Sequence, residues 1–277
     1  MLSRIFDLGW NVGEKLPVLK RPLIRWWYQF ISKLDHNGNI RLMNYGYAAL
    51  EGDGDLLLLE ERDQINRSQI QLYHRVASSL PLAGLNVLEV GSGRGGGASF
   101  ITRYHKPHSY IALDLSPRAI AFCQNDYVVN GLTFVCGDAE SLTFADDSFE
   151  AVINIESSSH YPHLARFLSE VFRVLRPGGH FLWADIRTVD EMTALRSAFR
   201  NAGFQITEEE RITPNTLRAL ELDEAHKMDI IRAHMPRPFH SSLREFVAAK
   251  GTRQYLNFQH GRREYWRAVL QKPSIQQ

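Results

Sequence analysis

The sequence predicts an α/β fold built on a mostly parallel sheet of seven strands. Three features carry this reading: short apolar runs alternate with helix-period patterns from residue 63 onward, one strand breaks into a glycine-rich turn at 91–97, and polar residues recur where successive strands end. At 277 residues with 44% hydrophobic content, the chain is long enough for one good-sized core plus appendages.

The first sixty or so residues lack a clean period and carry several aromatics, and they read as an N-terminal cap segment, 1–62. From Asp63 the pattern turns helical, with Ile65, Gln69, Leu72, Tyr73, Val76, Ala77 and Leu80 on one face, which opens the main domain, 63–277. Pro81 and Gly84 end that helix. Strand 87–90, helix 98–104, strand 110–113, helix 117–130, strand 133–136 and strand 151–155 follow. In the next helix Leu164, Phe167, Leu168, Val171, Phe172 and Leu175 keep an i, i+3, i+4, i+7 spacing until Arg176-Pro177-Gly178-Gly179 stops it. A strand over 180–186, a helix over 191–202 closed by Gly203, and strands over 204–211 and 265–271 complete the series. The segment at about 213–263 is too long for a hairpin loop and is expected to be an inserted lid with helices of its own.

Composition narrows the function classes. A formal net charge of +1 exerts no global pull on nucleic acid, so no nucleic-acid partner is expected. The two cysteines, Cys123 and Cys136, form neither a metal pair nor a disulfide framework, which fits a reducing cytoplasm. No long apolar run precedes a cleavage site, and Leu56-Leu57-Leu58-Leu59 is too short to span a bilayer. Between Lys15 and Phe30, basic residues stand beside Trp26, Trp27 and Tyr28; this stretch either packs its aromatics on the domain or makes peripheral contact with an anionic membrane.

The chemistry concentrates at strand ends, where open α/β sheets bind their ligands. Gly91-x-Gly93-x-x-Gly96 lets backbone N–H groups and a helix N-terminus approach a ligand, and by letters alone it also satisfies the NAD dinucleotide fingerprint. Asp114, about twenty residues on, suits the hydroxyls of an adenosine ribose in either case. Asp138 at the third strand end, placed for an exocyclic adenine amine, is not generally needed by a dinucleotide enzyme. Glu89 inside the turn would repel a pyrophosphate but suits the ammonium of a sulfonium-bearing amino acid, directly or through water.

These segments, LEVGSGRGG, IALDLS, CGDAESLTFADDSFEAVINIES and RVLRPGG, resemble the motif series of the class I S-adenosylmethionine-dependent methyltransferases over residues 63 to about 211. More narrowly, LMNYGYA, YHRVA, GRGGGASFITRYHKP and SSSHYPHLARFLSEVFRVLRPGG are similar to the phthiotriol and phenolphthiotriol dimycocerosate methyltransferases, which O-methylate a hydroxyl on a long polyketide-derived lipid. The resemblance implies a Rossmann-like sheet with its last strand antiparallel, S-adenosylmethionine as methyl donor, and a bulky apolar alcohol or phenol as acceptor. Carried onto this chain, the cofactor set is Glu89, Gly91, Ser92, Gly93, Asp114, Leu115, Asp138, Ala139 and Asn154, with Tyr45, Tyr47 and Tyr73 near the methionine end. Ser92 replaces a residue that is often Cys in the family, a change expected to be neutral.

His160, after the fourth strand, is the candidate general base, and Glu156 either orients it or acts in its place. His160-x-x-His163 has metal-ligand spacing, but Pro162 and the lack of a nearby third ligand argue against a metal. Carbon or nitrogen methylation on the same fold, or a binding protein that retains the cofactor without transfer, are the alternatives.

Overall fold

The computed structural model describes residues 40–50 and 57–274. The basic aromatic stretch at 15–30 and most of the expected cap segment lie outside the described residues. Seven strands, β1 (Asn86–Val90), β2 (Ser109–Asp114), β3 (Leu132–Cys136), β4 (Phe149–Ile155), β5 (Leu175–Arg187), β6 (Gln205–Arg211) and β7 (Glu264–Gln271), form one sheet in the order β3-β2-β1-β4-β5-β7-β6. β7 runs antiparallel to both neighbours, and the pairings from β3 through β5 are parallel.

Five helices connect and cover the sheet: α1 (Arg67–Ala77), α2 (Gly96–His105), α3 (Pro117–Asp126), α4 (Leu164–Val174) and α5 (Val189–Asn201). Side-chain alternation divides the interior into two layers. Val87, Ala151, Ile153 and Leu182 join the layer under α1 and α2, whereas Leu88, Val152, Phe181 and Trp183 join the layer under α4 and α5. The predicted stripe on α4 is buried through Phe167, Leu168, Val171 and Val174, each worth roughly 1.5–3 kcal/mol. Local chemistry agrees with these bounds: Ser116 caps α3 ahead of Pro117, and Thr188 with Glu191 forms a capping box on α5.

Two expectations need correction. Ile65, placed on the buried face of the first helix, is 60% exposed, because Glu61–Asn66 is a 3-10 turn whose tighter winding rotates it outward. The helix expected over 117–130 ends at Asp126, where Tyr127 turns extended and the β-branched Val128-Val129 pair follows.

Between β6 and β7 the chain forms three helices, α6 (Thr213–His234), α7 (His240–Phe246) and α8 (Arg253–Gln259). They have a small apolar cluster of their own, Met228, Ile231, Met235, Leu243 and Ala249. An extended strap at 41–48 runs beneath them: the Tyr47 N–H bonds to the Ser68 carbonyl, and Ala48 exchanges bonds with Asn215 on α6. No helix among the described residues is long and apolar enough to cross a membrane.

Candidate active site

Strand order reverses between β1 and β4, and the crevice beyond their carboxyl ends is where this topology leaves room for a ligand. A cleft lies there with about 1250 Å³ of empty space, part of it open to solvent. It is walled by the glycine turn, the ends of β2, β3 and β4, and the strap.

The turn is held by backbone bonds. Gly91 N–H donates to the Leu113 carbonyl at 2.8 Å and Ser92 N–H to the same oxygen at 3.0 Å, which ties β1 to β2 at the cleft floor. Gly91 has φ +82°, and a Cβ there would lie 2.3 Å from Ser157 Oγ on the β4 loop, so both backbone shape and contact demand glycine. Gly97 is required for another reason: a Cβ would sit 1.9 Å from the Tyr73 ring. The last glycine of the run therefore lets Tyr73 reach over the first turn of α2.

Asp114 lines the cleft at the end of β2, its Oδ2 accepting from Gly93 N–H at 2.9 Å and its Oδ1 from Ser116 N–H at 2.8 Å. Burial pushes its carboxyl up, opposed by those two N–H groups. Leu115, Asp138 and Ala139 line the same wall, and Asp138 Oδ1 accepts from Glu140 N–H at 3.0 Å. Gly91, Ser92, Gly93, Tyr73, Glu156 and His160 also face the cleft, so ten of the sequence-selected residues meet in one place.

Four selected residues do not line it. Glu89 is 1% exposed and points into the layer beneath α1, as alternation along β1 requires. Its two oxygens accept from Tyr73 Oη at 2.8 Å and Tyr110 Oη at 2.9 Å. Burial raises it to about 7 despite those donors. Asn154 is fully buried within β4, its amide nitrogen 2.8 Å from the Val90 carbonyl and 2.6 Å from Ser157 Oγ, so it braces the turn from behind. Tyr45 sends its hydroxyl to the Phe246 carbonyl at 3.0 Å and its ring edge to Phe258. Tyr47, itself part of the strap, is buried in the layer beneath α1.

The end of the cleft beyond β4 centres on Glu156, which has φ +50°. Its Oε1 accepts from Tyr45 N–H at 2.7 Å and from Tyr265 Oη at 2.8 Å. Burial pushes its carboxyl up to about 8 against both donors. Glu156 thus anchors the strap and β7. Asp185 on β5 is a carboxylate whose field reaches His160. Burial would raise Asp185, yet Arg187 at 3.0 Å, Ser158 Oγ at 2.7 Å and the charge of His160 hold it below the usual carboxylate range. Ser159 N–H also bonds Asp185, so this buried network fixes the 158–160 turn that carries His160.

Sequence reasoning missed Ser157 and Tyr161, which join Asn154 in that brace, and Asp185 with Arg187 behind it. The Ser157-Ser158-Ser159-His160-Tyr161 run after an apolar strand was the available signal for the first pair. An aspartate and an arginine closing the apolar run Phe181-Leu182-Trp183-Ala184 were the signal for the second.

Comparison with known proteins agrees with this geometry. A family model described as "Methyltransferase domain" matches residues 88–183. The chain is 41% identical over 229 residues to the phthiotriol/phenolphthiotriol dimycocerosates methyltransferase of Mycobacterium leprae, covering 82% of this chain and 84% of that one. It is 34% identical over 270 residues to a fatty-acid O-methyltransferase of Mycolicibacterium smegmatis, covering 96% and 95%. Among solved structures, that of the [4+2]-cyclase SpnF superposes with a TM-score of 0.69 at 21% identity, covering 92% of this chain and 96% of that chain. Because that fold neighbour is a cyclase, the sheet alone does not decide activity, whereas the sequence relatives do. This chain belongs to the S-adenosylmethionine-dependent methyltransferases, in the family that includes the phthiotriol/phenolphthiotriol dimycocerosates methyltransferases.

Proposed function

We propose that the chain transfers a methyl group from S-adenosylmethionine to a hydroxyl oxygen on a hydrophobic, lipid-like or polyketide-like acceptor. The observation that carries this reading is the meeting of Asp114, Asp138 and the glycine turn with Glu156 and His160 in one cleft at the sheet's switch point. The names of the two relatives, one for a dimycocerosate lipid and one for fatty-acid O-methylation, support an apolar acceptor and an oxygen target.

The residues present fit the cofactor. The Asp114 carboxylate suits the ribose hydroxyls, Asp138 suits the adenine amine, and Leu115 and Ala139 offer apolar contact to the base. The turn at Gly91, Ser92 and Gly93 allows close backbone approach, and Tyr73 covers the methionine end. Glu89 acts in this reading from behind the wall, holding the Tyr73 hydroxyl, while Asn154 fixes the turn. When bound, S-adenosylmethionine supplies a methyl group on a positively charged sulfur.

The chain's own contribution is positioning, exclusion of water and handling of one proton. His160 accepts the acceptor's hydroxyl proton on its imidazole, with Asp185 stabilising the resulting charge. Glu156, ionising only near pH 8, keeps its proton at neutral pH and presents a neutral carboxyl to the acceptor. The helices of 213–263 act as a lid over that end, and the strap at 41–48 separates acceptor from bulk water. No metal is assigned a role.

The test is incubation of the purified protein with methyl-labelled S-adenosylmethionine and a lipid extract, followed by fragmentation mass spectrometry. Label on oxygen of an apolar product is the expected result. Label on carbon or nitrogen would overturn O-methylation, and no label in any product would leave a binding protein.

A further inference from the structure

Charge is divided along the lid. From 230 to 263 there are seven lysines and arginines and one acid, whereas 213–229 holds two basic and four acidic residues and the whole chain is formally +1. The one acid, Glu245, is already occupied at the start of α8, where its oxygens accept from Arg253 N–H at 3.1 Å and Gln254 N–H at 2.8 Å, with the Arg253 guanidinium 3.6 Å away. On α6 the last acid, Asp229, pairs with Arg232 at 3.2 Å. Arg237, Arg244 and Lys250 stay exposed, with no ion pair among the described residues.

Two of these cations share a helix face. The turn Arg237–Phe239 runs directly into α7, and Arg237, Ser241 and Arg244, all exposed, fall at i, i+4 and i+7. Lys250 follows four residues after the helix ends. The other side of α7 is apolar: Leu243, Phe246 and the adjoining Val247 line a second cavity with about 770 Å³ of empty space, part of it open to solvent. Leu42, Met43 and Asn44 of the strap line both this cavity and the cleft, so the strap is their common wall. The basic face thus lies one helix diameter, roughly 10 Å, from an apolar cavity that abuts the cleft.

We propose that Arg237, Arg244 and Lys250 dock the lid on the surface of a membrane that carries anionic lipid. Clustered cations without acidic partners are drawn to such a surface, whose negative potential acts on each of them. Docking there would bring a bilayer-borne acceptor within one helix of the second cavity, a use that a nucleic acid on the same face would not make of it. The choice of a lipid surface rests on the lipid-like acceptor read above; the charge and its placement do not.

The test is co-sedimentation of the full chain, without cofactor or acceptor, with vesicles of phosphatidylcholine alone and of phosphatidylcholine mixed with phosphatidylglycerol. It compares the wild type with the triple variant Arg237→Gln, Arg244→Gln, Lys250→Gln. The wild type is expected to bind the anionic vesicles at least about tenfold more tightly than the neutral ones and to lose that preference as salt is raised, and the variant to bind them at least about tenfold more weakly. Its affinity for S-adenosylhomocysteine should be unchanged. Equal wild-type binding to both kinds of vesicle would overturn the inference, and so would a variant that keeps the preference, which would move the contact to residues elsewhere in the chain. A wild type that binds a DNA duplex but not the anionic vesicles would overturn it in favour of nucleic acid. Because the vesicle assay contains neither cofactor nor acceptor, failure of the methyl-transfer reading shows separately, as no label in an apolar product.

Discussion

The two halves of the cleft are built by different means. The half formed by the glycine turn, Asp114 and Asp138 is held by bonds among residues close in sequence or on adjacent strands, such as Gly93 N–H to Asp114 and Gly91 N–H to the Leu113 carbonyl. The half around Glu156 is held by contacts between residues more than a hundred positions apart, Tyr45 N–H and Tyr265 Oη on one carboxylate oxygen. The first can be read as a motif, and its geometry follows from backbone rules. The second exists only once the strap, β4 and β7 have come together, which suits the part of an enzyme that must differ between acceptors.

Breaking the first half should have the largest effect. Gly91→Ala forces a side chain into a left-handed backbone and against Ser157, and a combined cost of about 3 kcal/mol or more at that turn should lower S-adenosylhomocysteine affinity by more than about 100-fold. Calorimetric titration checks this, with circular dichroism showing that the fold survives. His160→Ala tests the other half: turnover should fall by about 10- to 1000-fold while cofactor affinity barely moves, and unchanged turnover would make the residue structural. Asp114→Ala should do the reverse. Loss of the ribose hydrogen bonds should weaken cofactor binding by about 10- to 100-fold, with a much smaller change in turnover at saturating cofactor.

The asymmetry explains what was legible in the sequence. The seven strands and their order of appearance follow from periodicity, and most of the ten cleft-lining residues from glycine spacing and strand ends, which are local signals, while Leu115 and Tyr73 entered through the resemblance to the methyltransferases. Glu89 was selected for its position in the turn, but the two-residue alternation of β1 sends it away from the ligand and toward Tyr73 and Tyr110. Tyr45 was selected for its side chain, yet its backbone N–H meets Glu156 and its hydroxyl goes to Phe246. Asp185 beside His160 depends on which segments pack together, and no spacing rule announces that.

A smaller effect should appear in stability against pH. Glu156 is raised in the folded chain from an ordinary value of 4.5 to about 8, so the folded state binds the extra proton across that interval. The stabilisation from keeping it neutral is complete below pH 4.5 and is lost as pH rises through 8. Glu156→Gln keeps an oxygen for Tyr45 and Tyr265 but cannot ionise. Thermal denaturation should therefore show the variant gaining on the wild type by several degrees between about pH 5 and pH 9. A difference that stays constant over that range would mean that Glu156 is not held neutral.

The account's central claim is that the switch-point cleft holds S-adenosylmethionine, and calorimetric titration of the protein, freed of copurified ligand, tests it most directly. The account predicts one site per chain for S-adenosylmethionine and S-adenosylhomocysteine, weakened by Asp114→Ala and indifferent to NAD. Binding of NAD with no heat from either sulfur nucleoside would contradict it.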